Sequence, residues 1–120
     1  MRKVVTVGGT LEQDGEAVIA AIKRIERGED FEPEDHVNFA NWSALAAVMT
    51  DKRLELLQHL RRQPEANIRQ LAQALGRDYK HVYGDVERLE QAGLIDRDDQ
   101  NRLCVLWSEI QAVLRLDSAA

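Results

Sequence analysis

Between residues 50 and 95 the chain repeats one pattern three times: a side chain able to cap a helix, apolar residues at helical spacing, then a residue that stops the helix. Thr50 precedes Leu54, Leu57 and Leu60 on one helical face, and Pro64 forbids continuation much beyond residue 62. Asn67 precedes Ile68, Leu71, Ala72 and Leu75, at i, i+3, i+4 and i+7, and Gly76 stands where a left-handed C-terminal residue is wanted. Asp78 can cap a third segment whose Val82, Val86 and Leu89 face inward and which Gly93 stops. Leu94 and Ile95 then begin a new apolar segment, residues 98–101 form a polar turn, and residues 103–106 form the returning strand. The order helix, helix, tight turn, helix, hairpin predicts a winged helix-turn-helix over residues 50–107, with residues 78–91 as recognition helix.

The flanks carry weaker patterns. Val4, Val5 and Val7 followed by Gly8-Gly9 predict a short strand and turn, and residues 12–27 predict a narrow amphipathic helix ended by Gly28. Residues 29–35 hold five acids and Pro33, the composition of a solvated linker. A short helix through Met49 follows, capped by Asn41 or Ser43, with Trp42, Leu45, Val48 and Met49 as its buried side. In the tail, Ile110, Ala112, Leu114 and Leu116 alternate like a half-buried strand, although Ser108 and Gln111 also spell a capping box that would open a helix. The alternation favours the strand. A lone strand at residues 3–7 is not stable, so its valines need residues 110–116 or the same segment of a second chain. The expected fold class is α+β: an arm over residues 1–49 that mediates dimerisation, the winged helix over 50–107, and a terminal strand and tail over 108–120.

A net charge of −5 argues against a simple nucleic-acid binder until its distribution is read. Residues 1–49 hold five Lys/Arg against nine Asp/Glu, residues 50–107 hold ten of each, and the remainder holds one against two. The acidity therefore sits in the arm, and a neutral domain binds DNA if its cations share a face. No apolar run approaches the roughly 20 residues of a membrane span, and the N-terminal residues turn polar and Gly-rich too early for a signal peptide. The single cysteine, Cys104, excludes an internal disulfide framework and fits a reducing, cytoplasmic compartment, with a small core position as its expected role. His36, His59 and His81 are too scattered for a metal site, and His59 is expected to be a surface or satisfied packing histidine. No nucleophile elbow, phosphate-binding loop or catalytic constellation is present, so neither an enzyme nor a cofactor is expected.

The stretches Thr50-Asp51-Lys52-Arg53-Leu54-Glu55-Leu56-Leu57, Ile68-Arg69-Gln70-Leu71-Ala72, Leu75-Gly76-Arg77-Asp78-Tyr79-Lys80-His81-Val82, Asp85-Val86 and Leu89-Glu90-Gln91-Ala92-Gly93-Leu94-Ile95 together resemble a MarR-like family of winged-helix DNA-binding regulators of prokaryotes. The likeness covers residues 50–107 closely and the flanks loosely. It implies operator binding as a homodimer, and for some members a role as antitoxin encoded beside a toxin.

With Val82, Val86 and Leu89 inward, about 100° per residue places Lys80, Gly84, Glu87, Arg88 and Gln91 outward and His81 and Tyr83 on the shoulders. Lys80 and Arg88 are the leading candidates for base-edge or phosphate contacts, and Tyr83 and His81 for phosphate. Tyr79 is expected nearer the inward side, with its hydroxyl at the rim. The helix start at Asn67 offers free N–H groups to a phosphate with Arg69 beside it. Arg97 and Arg102 flank the tip of the wing, where they reach a minor groove. Arg53, at a helix start where cations are disfavoured, and Arg77, in the turn, complete the set, although Arg53 pairing with Glu55 or Asp51 explains it equally well. Gly84 stands where the resemblance leads one to expect Arg, which fits either close approach of backbone to DNA or drift at an exposed site. Glu87 repels phosphate unless it is paired. The expected partners are double-stranded DNA, a second copy of the chain and a cognate toxin, with a protein-docking module as the alternative.

Overall fold

The three caps are made with the side chains the pattern requires. In the computed structural model, which describes residues 2–8, 34–114 and 116, Thr50 Oγ1 accepts from the N–H of Arg53, Asn67 Oδ1 from Gln70 and Asp78 Oδ2 from His81, at 3.3, 2.8 and 3.3 Å. The helices they open are α2 (Asp51–Arg62), α3 (Ile68–Leu75) and α4 (Tyr79–Gln91), and α1 (Trp42–Val48) precedes them. Gly76 ends α3 at φ +65°, letting the N–H of Arg77 reach back to the carbonyl of Ala72 at 3.0 Å. Gly93, at φ +77°, does the same for α4, with Leu94 donating to Leu89 at 2.9 Å. Downstream, β3 (Asp96–Arg97) and β4 (Leu103–Cys104) form an antiparallel hairpin. Glu65 exchanges two backbone hydrogen bonds with Leu103, at 3.0 and 2.8 Å, and so gives the hairpin a third partner from the α2–α3 connection. The returning strand is shorter than expected: Val105 is buried beyond it, but Leu106 is 51% exposed.

Val82, Val86 and Leu89 of α4 meet Leu71 and Ala72 of α3 in a core shared with Leu94, Leu103 and Trp107. One expectation for α2 fails. Leu54 is 41% exposed, whereas Leu56, Leu57 and Leu60 are buried. The stripe is centred so that Arg53 occupies its N-terminal end, which turns Leu54 away by about 110° at 100° per residue. Trp42, the first residue of α1, is likewise 57% exposed, and only Leu45 and Val48 of that helix are buried. Cys104 is a buried core residue of β4, and Trp107, three residues further on, is buried too.

The other part of the chain is a three-stranded sheet in the order β2–β1–β5, built from β1 (Arg2–Val7), β2 (Glu34–Phe39) and β5 (Glu109–Leu114). Both pairings are parallel, Arg2 standing opposite Glu34 on one side and Glu109 on the other. Parallel neighbours cannot be joined by a tight turn. The chain places residues 8–33 between β1 and β2, and all four described helices and the hairpin between β2 and β5. Val4 and Val5 point to opposite faces and both are buried, as the central strand of a parallel sheet requires. The acidic segment is corrected in part: Glu34 and Asp35 begin a strand rather than a solvated linker. The reason is Lys3, whose side chain is 2% exposed and whose ammonium donates to the Asp35 carboxylate across the β1–β2 register. That bond, against the opposing effect of burial, holds the Asp35 carboxyl below its ordinary range. The tail is a strand, not a helix, but residues 111–114 are exposed rather than alternately buried. The expected helix over residues 12–27, Gly9, Gly28 and the first part of the acidic segment lie outside the described residues.

The chain is a mixed α+β protein that divides into two compact units, Met1–Trp42 with Glu109–Ala120, and Ser43–Ser108. The first boundary falls at residue 42 rather than 49, since α1 belongs almost wholly with the later helices. Among the described residues no helix is long and apolar enough to cross a membrane. Leu56→Ala is expected to lower the unfolding free energy by about 2–5 kcal/mol, and Leu54→Ala by no more than about 0.5–1 kcal/mol, in urea denaturation followed by circular dichroism.

Candidate nucleic-acid interface

The inward packing of α4 decides which of its side chains face solvent. Lys80, His81, Tyr83, Glu87, Arg88 and Gln91 are exposed, and Lys80 and Arg88 have no ion-pair partner among the described residues. Gly84 lies between these two cations. A Cβ placed on it meets nothing within 4 Å, so no packing demand of the chain itself explains the glycine. It leaves the backbone of α4 bare at the centre of the face. His81 is highly exposed, with Nδ1 3.7 Å from the Asp78 carboxylate. Glu87 is exposed on the same side and lowers the local positive charge.

Tyr79 departs from its expected inward position. It is 50% exposed, and its ring stands tilted at 42° to that of Tyr83, with centroids 6.1 Å apart. The pair makes an aromatic shoulder along the first turns of α4. Tyr79 also lines an open groove of about 490 Å³ together with Ala66, Asn67, Ile68, Arg69 and Arg97. This groove joins the start of α3 to the hairpin. Asn67 spends its side-chain oxygen on the cap, while Arg69 is exposed and has no ion-pair partner among the described residues.

Of the two hairpin arginines Arg97 is exposed and Arg102 half-buried, and both are already paired. Arg97 donates to Glu90 Oε1 at 2.8 Å and to the carbonyl of Asn101 at 3.3 Å. Arg102 donates from Nε to Asp98 Oδ2 at 2.8 Å. Asp98 also accepts from the backbone N–H groups of Arg102 and Gln100, both at 2.9 Å, and so organises the turn. The Arg102 N–H contributes most to holding the Asp98 carboxyl below its ordinary range; burial opposes this, and the Arg102 side chain and the Gln100 N–H reinforce it. In the adjoining strand, burial pushes the Cys104 thiol up, and the nearby charges of Asp98 and Asp96 add to the effect, which leaves little reactive thiolate.

Arg53 and Arg77 do not join the exposed set. Arg53 Nε donates to Asp85 Oδ1 at 3.0 Å, and its Nη1 donates to the carbonyls of Ala47 and Val48, both at 2.9 Å. Arg77 Nη2 donates to Asp85 Oδ2 at 2.7 Å. All three side chains are mostly buried, at 16%, 18% and 14% exposure for Arg53, Arg77 and Asp85. The pairing of Arg53 with Asp51 or Glu55 is thereby replaced by one across the fold. Asp85 was not singled out by the sequence pattern, yet an acid between Val82 and Val86 on the inward half of a helix is a legible sign of a buried partner. Glu65, 6% exposed, was missed too; its Oε1 lies 2.8 Å from Nε2 of His59, so of the two expected roles, surface or packing, His59 takes the packing one.

These features define a class: a mixed α+β protein with a unit of helices and a small hairpin, bearing an exposed face on which cations flank a bare glycine. The HVO_A0114 family model matches residues 48–112, from the end of α1 into β5, and the chain belongs to that family. No curated protein and no solved structure matches the chain.

Asp85→Ala leaves two guanidinium groups without their acid, and it is expected to cost about 2–3 kcal/mol of stability in urea unfolding. A second expectation concerns pH. The Asp98 carboxyl is depressed in the folded state, so its contribution is present at and above the ordinary aspartate range and is lost as pH falls through the lowered value. In an NMR titration Asp98 should titrate below the ordinary aspartate range, and the amides of Gln100 and Arg102 should lose exchange protection only with that step.

Proposed function

We propose that this protein is a winged helix-turn-helix regulator of transcription that binds DNA sequence-specifically as a cytoplasmic homodimer. In this reading α3 braces, α4 is the recognition helix in the major groove, and the β3–β4 hairpin is the wing. The observation that carries it is the outward face of α4, where Lys80 and Arg88 are exposed on either side of Gly84 and have no ion-pair partner among the described residues. Lys80 and Arg88 contact phosphates and base edges, and the bare backbone at Gly84 permits close approach of the helix to the groove floor. The shoulder of Tyr79 and Tyr83 and the groove at Asn67 and Arg69 supply the flanking phosphate contacts. Arg97 and Arg102 reach the backbone only by leaving Glu90 and Asp98, so their contribution is smaller. The resemblance to MarR-like regulators supports the same assignment and, with it, a role as antitoxin and autorepressor of a toxin operon. No cofactor and no catalytic step belong to this function.

Glu87 on the same face favours one second reading, a winged helix that docks another protein and binds little or no DNA. Fluorescence anisotropy on duplexes selected from a random library separates the two. A regulator loses affinity steeply with salt, and Lys80→Ala with Arg88→Ala weakens binding by at least about 100-fold and lowers the salt slope by about two per bound protomer. An absence of binding at low salt, with capture of a protein encoded next to this one, decides for docking.

A further inference from the structure

We infer that Glu87 makes the protein select for cytosine: its carboxylate accepts from the exocyclic amino group of a cytosine in the major groove and weakens binding to DNA that lacks that base. This rests on the DNA-binding reading of α4 and adds to it the base that the helix selects. Lys80, Glu87 and Gln91 follow one another at intervals of seven and four residues, so at about 100° per residue they lie within about 40° of one another around α4. All three are exposed. Gly84 lies on the same side between Lys80 and Glu87, with no Cβ to hold the helix away from a groove floor. Side chains on this line reach whatever the bare backbone approaches. α4 carries three acids, and two of them are used inside the fold: Asp85 holds Arg53 and Arg77, and Glu90 holds Arg97. Glu87 has no hydrogen-bond or ion-pair partner among the described residues. Its neighbours on the helix surface, three and four positions away, are Tyr83, Gly84, Glu90 and Gln91, none of them a cation. The helix therefore presents this carboxylate without a local counter-charge.

The base follows from hydrogen-bond chemistry. On a face that meets phosphates, a carboxylate without a counter-charge costs affinity on every sequence. That cost is offset only where the groove offers a donor. Two bases do so, cytosine through N4 and adenine through N6. In adenine the donor stands beside the N7 acceptor, whose lone pair repels the second carboxylate oxygen. Cytosine presents the donor with no acceptor of its own beside it. Glu87 is thus the attractive contact to one base and the repulsive element against the others, the two parts from which specificity is built. Lys80 and Arg88 attract DNA of any sequence through its phosphates, and Glu87 sorts what they attract.

The test uses the full chain and a duplex selected from a random library, with each base pair of the selected site changed in turn and binding read by fluorescence anisotropy at fixed salt. The wild type binds about tenfold more weakly when the cytosine facing Glu87 is replaced. Glu87→Gln binds best with adenine at that same position, because an amide pairs with N6 and N7 together. A residue with a merely structural role gives no such exchange of preference, and the exposure of Glu87 leaves both variants folded by circular dichroism. Glu87→Ala loses the preference there and binds unrelated duplexes more tightly than the wild type does. Lys80→Ala with Arg88→Ala, on the same duplexes, weakens binding to every sequence and so tests the DNA reading alone. A wild type that binds DNA with no cytosine-dependent position, or Glu87 variants that keep the wild-type preference, overturns the assignment and leaves the DNA reading standing. A wild type that binds no duplex at low salt overturns both.

Discussion

The presentation of α4 depends on the Asp85 carboxylate. It lies on the inward half of the helix and divides its two oxygens between Arg53 of α2 and Arg77 of the α3–α4 connection. Arg53 in turn donates to the last carbonyls of α1, so one acid ties three helices and a turn together. Hydrophobic packing of Val82, Val86 and Leu89 supplies most of the driving force, but apolar contact is non-directional. The directional bonds to Asp85 set the rotation of α4 about its own axis. Two cations share a single acid; the carbonyls of Ala47 and Val48 take up Nη1 of Arg53, while Nη1 of Arg77 is buried with no hydrogen-bond partner among the described residues. That is a costly arrangement to bury, and it explains why none of the three side chains is left to face a ligand.

The rotation has a direct electrostatic consequence. The segment of residues 50–107 is neutral overall, yet its charges are sorted. Asp85, Asp98, Glu65 and Glu90 are consumed in pairs with Arg53, Arg77, Arg102, His59 and Arg97. Arg69, Lys80 and Arg88 are not. A neutral sum thus coexists with a face where, among the described residues, the uncompensated cations Arg69, Lys80 and Arg88 outnumber the exposed acids Asp78 and Glu87. Long-range attraction to a polyanion depends on that local excess rather than on the total, which is why a net charge of −5 does not argue against the proposed function.

In the sheet, the governing constraint is different. A parallel strand with neighbours on both sides buries both faces, and β1 brings Lys3 into that setting. Asp35 makes the burial tolerable by standing at the same level on β2. Part of the acidity of residues 1–49 therefore has a structural use. The opposite neighbour, β5, sets the uncharged Ile110 at the level of Lys3, and its Val113 and Leu114 are exposed.

The sequence by itself determined the elements whose signals are local. Thr50, Asn67 and Asp78 satisfy N–H groups within three residues of themselves, Gly76 and Gly93 adopt a backbone few other residues tolerate, and the spacing of Val82, Val86 and Leu89 names the buried side of α4. For that reason the exposure of Lys80, His81, Tyr83, Arg88 and Arg69 was legible without coordinates. Only the tertiary structure decided matters between elements distant in the chain. It withdrew Arg53 and Arg77 to Asp85, turned Leu54 and Trp42 to solvent, paired Arg97 and Arg102, and made residues 34–39 a strand because β1 needed a second parallel neighbour. The physical reason is separation along the chain. Capping and periodicity act within a turn of helix, whereas a salt bridge across 32 residues or a parallel register is set by which surfaces remain to be covered once the local elements exist.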